Sequence, residues 1–302
     1  VVLNDPLGPP KNGPRNWTSG FLPPLYQGTP FRPTGSPILN LKRGYEQPSA
    51  VTESARTLLN RLDSLHRSQR PFQPELDARI ESYSLAARMQ SFETAFGMQH
   101  TMPDVLDLSQ ETAGTLRLYG LGQQSTDAFG RQCLVARRMV ERGVRFVQIY
   151  SGGMENARSW DGHGDIKKNH TQFAGETDQP IAGLLADLEQ RGMLDETLVI
   201  WGGEFGRLPV SQLSGGKPTG RDHNPHAGCY WFAGGGARGG TSYGETDEVG
   251  HKAAVDTVEI HDIHATILHL LGMDHKRLTY LHSGRRFRLT DVAGNVIHDV
   301  VA

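Results

Sequence analysis

Only two cysteines, Cys133 and Cys229, occur in 302 residues, too few for a disulfide framework or a thiolate metal site. Both lie in apolar runs, where a buried free thiol is expected. No stretch reaches the eighteen or so uninterrupted apolar residues of a membrane span, and the chain does not open on a signal peptide. Charge of one sign is lacking too: 31 Lys and Arg against 33 Asp and Glu leave a net charge of -2. That balance makes no electrostatic case for nucleic acid or an anionic membrane as partner. The basic pairs Arg137-Arg138 and Arg285-Arg286 are not set in a longer basic stripe with interleaved aromatics and read as solvated faces. An initiator Met is also missing, and Val1-Val2-Leu3-Asn4-Asp5-Pro6 leads straight into Pro/Gly-rich coil. The chain is expected to be a fragment.

What is present suffices for a sizeable core. Three segments follow one another in an expected single domain. Residues 1–50 are Pro/Gly-rich but carry Trp17, Phe21, Tyr26, Phe31 and Tyr45, too many aromatics for a free linker, and read as irregular chain lying over a larger body. Residues 51–125 hold two helical patterns. One covers 52–68 with Leu58, Leu62 and Leu65 in a stripe, and the second covers 75–97 with Leu76, Ile80, Tyr83 and Ala87. Together they predict a helical hairpin whose role is packing.

Residues 126–302 alternate helix and strand. Phe129, Cys133, Ala136 and Val140 form a helical face ending at Gly143, and residues 144–150 read as a strand. A helix follows over about 172–191, then strands at 197–201 and 230–233, then a helix over 262–271. This alternation predicts a mainly parallel sheet with helices on both faces. Ligands collect at the carboxyl ends of such strands, where glycine-rich turns stand in this chain.

Three clusters of metal-ligating side chains sit beside those glycines: Asp161 with His163, Glu204, and His223. Asp, Glu and His together supply the oxygen and nitrogen donors that suit divalent cations. An Asp-Gly turn with a solvent-facing histidine accounts for Asp161 and His163 as well as a ligand pair does. Glu204 follows Trp201-Gly202-Gly203 at the mouth of a strand read as buried, where a carboxylate needs a cation or Arg207. Asp222 and His223 also fit a simple turn. His170 and Asp178 are weaker candidates, and either accounts for a helix cap. The histidines at 261, 264, 269 and 275 read as helix-surface or terminal residues.

Several motifs in order resemble one bacterial family. They are residues 16–28, Glu141-Arg142-Gly143-Val144-Arg145-Phe146, Trp160-Asp161-Gly162-His163, Gly203-Glu204-Phe205-Gly206-Arg207, Gly220-Arg221-Asp222-His223, and the helix from Asp262 to Gly272. They look like sulfatase-like proteins of the domain-of-unknown-function family 1501, in the alkaline phosphatase-like superfamily. The resemblance spans essentially the whole chain. It implies an α/β sandwich with a mainly parallel sheet. It also implies a one- or two-metal site for hydrolysing sulfate or phosphate esters, and export to the periplasm or cell surface. The ligands it implies are His163, Glu204 and His223, with Asp161 substituting from a different point on the loop for a family Asp whose position falls on Ser159. They would hold Zn, Ca, Mg or Mn, with Arg207 or Arg221 steadying the anion of a small-molecule or polysaccharide ester.

Two further departures qualify the resemblance. The superfamily's Ser-Asp-His-Gly aligns with Gly203-Glu204-Phe205-Gly206, so Glu204 replaces an Asp ligand and Phe205 removes a His ligand. Nothing before Trp17 matches the strand and Gly-Gly-Pro-Ser type motif that opens family members, so the first strand and the nucleophile region are expected to be missing. A non-catalytic exported binding protein keeping the fold is therefore the opposing reading. An esterase is a weaker one, because the α/β half has no Gly-x-Ser-x-Gly elbow.

Overall fold

The computed structural model describes residues 1–20, 22, 26–32, 49–69, 102–153, 159–211 and 220–302. The chain divides into two compact units, residues 1–2 with 14–107 and residues 3–13 with 108–302. The helix expected over 75–97, and with it the hairpin, lies outside the described residues.

In the smaller unit, Val2 of β1 (Val2–Leu3) is buried and donates its N–H to the Thr29 carbonyl at 2.9 Å, beside β2 (Pro30–Phe31). The Gly28 N–H donates to the Trp17 carbonyl at 2.8 Å, and Trp17 is buried. The first predicted helix is α1 (Ser49–Gln69). Its stripe of Leu58, Leu62 and Leu65 is exposed, because periodicity defines a helix face without supplying the surface that covers it.

The first part of the larger unit is built on three consecutive helices among the described residues. Thr112 caps α2 (Ala113–Leu118), its hydroxyl accepting the Thr115 N–H at 3.0 Å. The predicted apolar face appears in α3 (Asp127–Glu141), where Cys133, Leu134, Ala136 and Met139 are buried. Tyr119, Cys133 and Leu134 form a core against which Leu116, Phe129, Ile149 and Leu184 pack. Gly143, at φ +85°, ends the helix: its N–H bonds to the Val140 carbonyl and that of Val144 to Met139. The next helix, α4 (Ile166–Gln190), packs against α3 and starts earlier than its apolar pattern implied, because Asp165 caps it through the Lys168 N–H at 3.0 Å.

Arg137 and Arg138 are not a solvated face. Both are buried, and Arg137 meets Glu111 at 2.8 Å, Glu141 at 2.7 Å and Asp187 at 2.9 Å. Arg138 also pairs with Glu111, and the Tyr119 hydroxyl donates to Asp187 at 2.9 Å. Buried guanidinium is tolerated only with such partners, and this network ties the α3–α4 packing to residue 111. Burial works to raise the Glu111 carboxyl pKa, but the hydrogen bonds from Arg138 and Arg137 outweigh it and hold the group below the usual range.

The fold is mixed α/β. Within the larger unit its parallel pairing is small: the Tyr150 N–H, next to β3 (Gln148–Ile149), donates to the Leu3 carbonyl at 2.9 Å. The remaining strands among the described residues form two-stranded antiparallel pairs. β4 (Val199–Gly202) pairs with β7 (Tyr230–Ala233), and β5 (Gly206–Arg207) pairs with β6 (His223–Asn224). β8 (Glu245–Thr246) pairs with β9 (Ala253–Val255). After α5 (Ile260–Leu270), β10 (Thr279–His282) pairs with β11 (Arg285–Arg288). The strands expected at 197–201 and 230–233 are therefore present but run antiparallel to each other.

Two expectations of burial change. Cys133 is buried and its thiol pKa is pushed up by desolvation, but Cys229 is exposed where the chain enters β7. His275 is buried, with Nδ1 2.9 Å from the Thr290 hydroxyl, which supplies the partner a buried imidazole needs.

Candidate metal centre

The loop carrying Asp161 and His163 is pinned on both sides. Trp160 stacks on Phe173 of α4, with ring centroids 5.3 Å apart, and its indole N–H donates to the Ser151 hydroxyl at 3.1 Å. Asn169 donates from Nδ2 to the Ser159 carbonyl at 2.8 Å, and the Asp165 cap follows directly. The loop is thus held by the first turns of the helix it leads into.

The second wall is the β5–β6 pair, in which Arg207 stands opposite His223. The Asp222 carbonyl accepts the Leu208 N–H at 2.8 Å, and the Asp222 N–H donates to Val210 at 3.0 Å, extending the pairing. The two walls meet at Gly220. A Cβ there would lie 1.9 Å from the His163 carbonyl oxygen, so only glycine permits the approach that brings the Arg221 N–H within 3.0 Å of the Gly162 carbonyl.

This closure brings together three of the four predicted ligands. His163 Nε2 lies 2.9 Å and His223 Nε2 3.0 Å from Asp161 Oδ1, and the two Nε2 atoms are 3.0 Å apart. Asp161, His163 and His223 are the group among the described residues whose donor atoms all fall within 4.8 Å of one another. Protons alone do not satisfy such a triangle. If both Nε2 atoms carry hydrogen, two donors face each other; if either lacks it, a lone pair faces the carboxylate. A cation satisfies all three edges. With metal–ligand bonds of about 2.1 Å, adjacent donors stand about 3.0 Å apart in an octahedron and about 3.4 Å in a tetrahedron, so the residues present fit a divalent ion.

Glu204 is exposed and the triangle closes without it. The desolvation argument for a ligand at this position does not hold, because β4 is itself largely exposed. The Glu204 charge instead acts on Tyr230, whose phenol pKa is raised first by burial and then by that carboxylate. Arg207 does not pair with Glu204 but places Nη1 2.7 Å from Asp161 Oδ1. Burial works to raise the Asp161 pKa, but the hydrogen bonds from His223 and Arg207 and the charges of Arg207 and His163 win, and the carboxyl stays ionised below its ordinary range. Arg221 lies half-buried at the same corner, with Nη1 donating to the Gly220 carbonyl at 2.9 Å. Asp178 is exposed on α4, and His170 Nε2 is 3.3 Å from the Trp160 carbonyl, so His170 braces the loop.

Two further residues border the triangle. Phe205 lays its ring against His223 at a centroid distance of 4.8 Å. The carboxylate of Asp222, read only as part of a turn, accepts the His223 N–H at 2.8 Å and lies 3.9 Å from His163 Nδ1. The local signal for Asp222 was its place directly before a candidate ligand.

The molecule is thus a mixed α/β protein with a two-histidine, one-carboxylate cluster at a loop–hairpin junction. The family model described as a protein of unknown function, DUF1501, matches residues 1–301, and the chain belongs to that family. No curated protein and no solved structure matches it significantly.

Proposed function

We propose that this protein is a sulfatase-like, metal-dependent hydrolase of sulfate or phosphate esters. The same reading includes an alkaline phosphatase-like sandwich and export to the periplasm or cell surface, both of which rest on the motif resemblance. The observation that carries the proposal is the triangle of Asp161, His163 and His223, whose three donors converge with 2.9–3.0 Å spacing. Two imidazoles among three donors favour zinc over calcium or magnesium. Bound there, the ion would polarise an ester oxygen and lower the pKa of the attacking group. The chain's own contribution is orientation and charge. Arg207 keeps Asp161 ionised and aimed, and Arg221, at the same corner, would meet the anionic ester.

A specific observation favours the opposing reading, a non-catalytic binding protein. Phe205 stands where the resemblance expects a histidine ligand and packs on His223, so that corner of the centre is closed by an apolar ring. Metal analysis of the purified protein, run beside assays on an aryl sulfate and an aryl phosphate, separates the two. Bound divalent metal with turnover of either ester is expected. Metal without turnover would put the binding protein ahead, and no metal above trace would remove the metal centre from both.

A further inference from the structure

We infer that Asp222 is the positioning residue that fixes the ring of His163 through Nδ1; the inference rests on reading the triangle as a metal centre. An imidazole that ligates through Nε2 must carry its proton on Nδ1, and the partner of that N–H sets the ring's tautomer and orientation. In this structure His163 Nδ1 is buried and makes no hydrogen bond. A buried donor left without an acceptor keeps its desolvation cost uncompensated, so a ligating His163 needs an acceptor on that side.

Asp222 is placed to provide it. Its backbone is held on both sides, by Val210 and Leu208, and its Oδ1 is fixed by the His223 N–H at 2.8 Å. That same oxygen lies 3.9 Å from His163 Nδ1, about 0.7 Å beyond hydrogen-bond range. One carboxylate thus addresses both histidines, His223 through its backbone and His163 through its ring. Asp222 lies outside the group of converging donors, so its action runs through the two histidines it faces. Its half-exposed side chain competes with water for the contact, which keeps the effect at the scale of an outer-shell partner rather than a ligand.

The test is zinc affinity of the full chain by competition with a chromophoric chelator, together with the imidazole N–H resonances of the zinc-loaded protein. Asp222→Ala is expected to weaken zinc binding by about 10–100-fold and to lose the exchange-protected Nδ1–H signal of His163. Asp222→Glu restores most of the affinity and the signal. Asp222→Asn keeps an acceptor for the His223 N–H, and so keeps the turn, while losing severalfold in affinity; it decides the matter if the alanine variant does not fold. Wild type that binds zinc, with affinity and Nδ1–H signal unchanged in Asp222→Ala and Asp222→Asn, would overturn the role of Asp222 alone. Wild type that binds no zinc removes the metal centre and this inference with it.

Discussion

The Nε2 atoms of His163 and His223 lie 3.0 Å apart although 60 positions separate them in the chain. One sits on the loop that caps α4, the other on β6, and Asp161 completes the triangle from the first loop. Two ring nitrogens and a carboxylate oxygen at this spacing are a poor hydrogen-bonding set and a good ligand set.

Removing either histidine should therefore remove the metal. His163→Ala and His223→Ala are each expected to lower zinc affinity by more than the ~10–100-fold typical of outer-shell changes. Isothermal titration on the full chain checks this, and retention of wild-type affinity by either variant would exclude that histidine as a ligand.

Gly220 tests the closure itself. The added methyl of Gly220→Ala would fall 1.9 Å from the His163 carbonyl oxygen, so the two walls must separate. Loss of metal binding without change to Asp161, His163 or His223 is the expected outcome. Normal metal content in a folded Gly220→Ala protein would show that the approach of the loops is not needed.

Glu204 discriminates in the other direction. It is exposed and outside the triangle, so Glu204→Gln is expected to leave metal stoichiometry as in wild type. A drop in occupancy, measured on the two proteins side by side, would return Glu204 to the ligand set.

The buried ion network should dominate stability in the larger unit. Arg137→Leu takes one charged partner from each of the buried carboxylates of Glu111 and Asp187, leaving Arg138 on the first and Arg191 and Tyr119 on the second, a change expected to cost about 1–3 kcal/mol. Urea denaturation reads it, and a loss under about 1 kcal/mol would mean that the network contributes little.

Acid should act through the same groups. The folded-state pKa of Glu111 is depressed, so its contribution to stability is fully present above the ordinary carboxylate pKa of about 4.3 and is lost as pH falls through the folded value. Glu111→Gln is expected to flatten the dependence of unfolding free energy on pH below about 5. Parallel pH profiles for wild type and variant would place the acid sensitivity elsewhere.

Much of this molecule could be read along the chain because it is locally determined. The face of α3 with its stop at Gly143, the strands near 199–202 and 230–233, and Asp161, His163 and His223 as ligand types follow from side-chain period, backbone freedom and donor chemistry within a few residues. The early start of α4 shows the limit of period alone, since a single capping carboxylate at Asp165 extended the helix past its apolar pattern. Tertiary structure decided what depends on distant neighbours. It buried Arg137 by surrounding it with Glu111, Glu141 and Asp187, and it left Glu204 in solvent beside an exposed strand. It also turned Arg207 from Glu204 to Asp161, and set Asp222 beside both histidines. A residue's type fixes which atoms it offers, but the cost of burying a charge and the identity of its partner are set by whatever the fold brings within a few ångströms, and that is a property of no local stretch of chain.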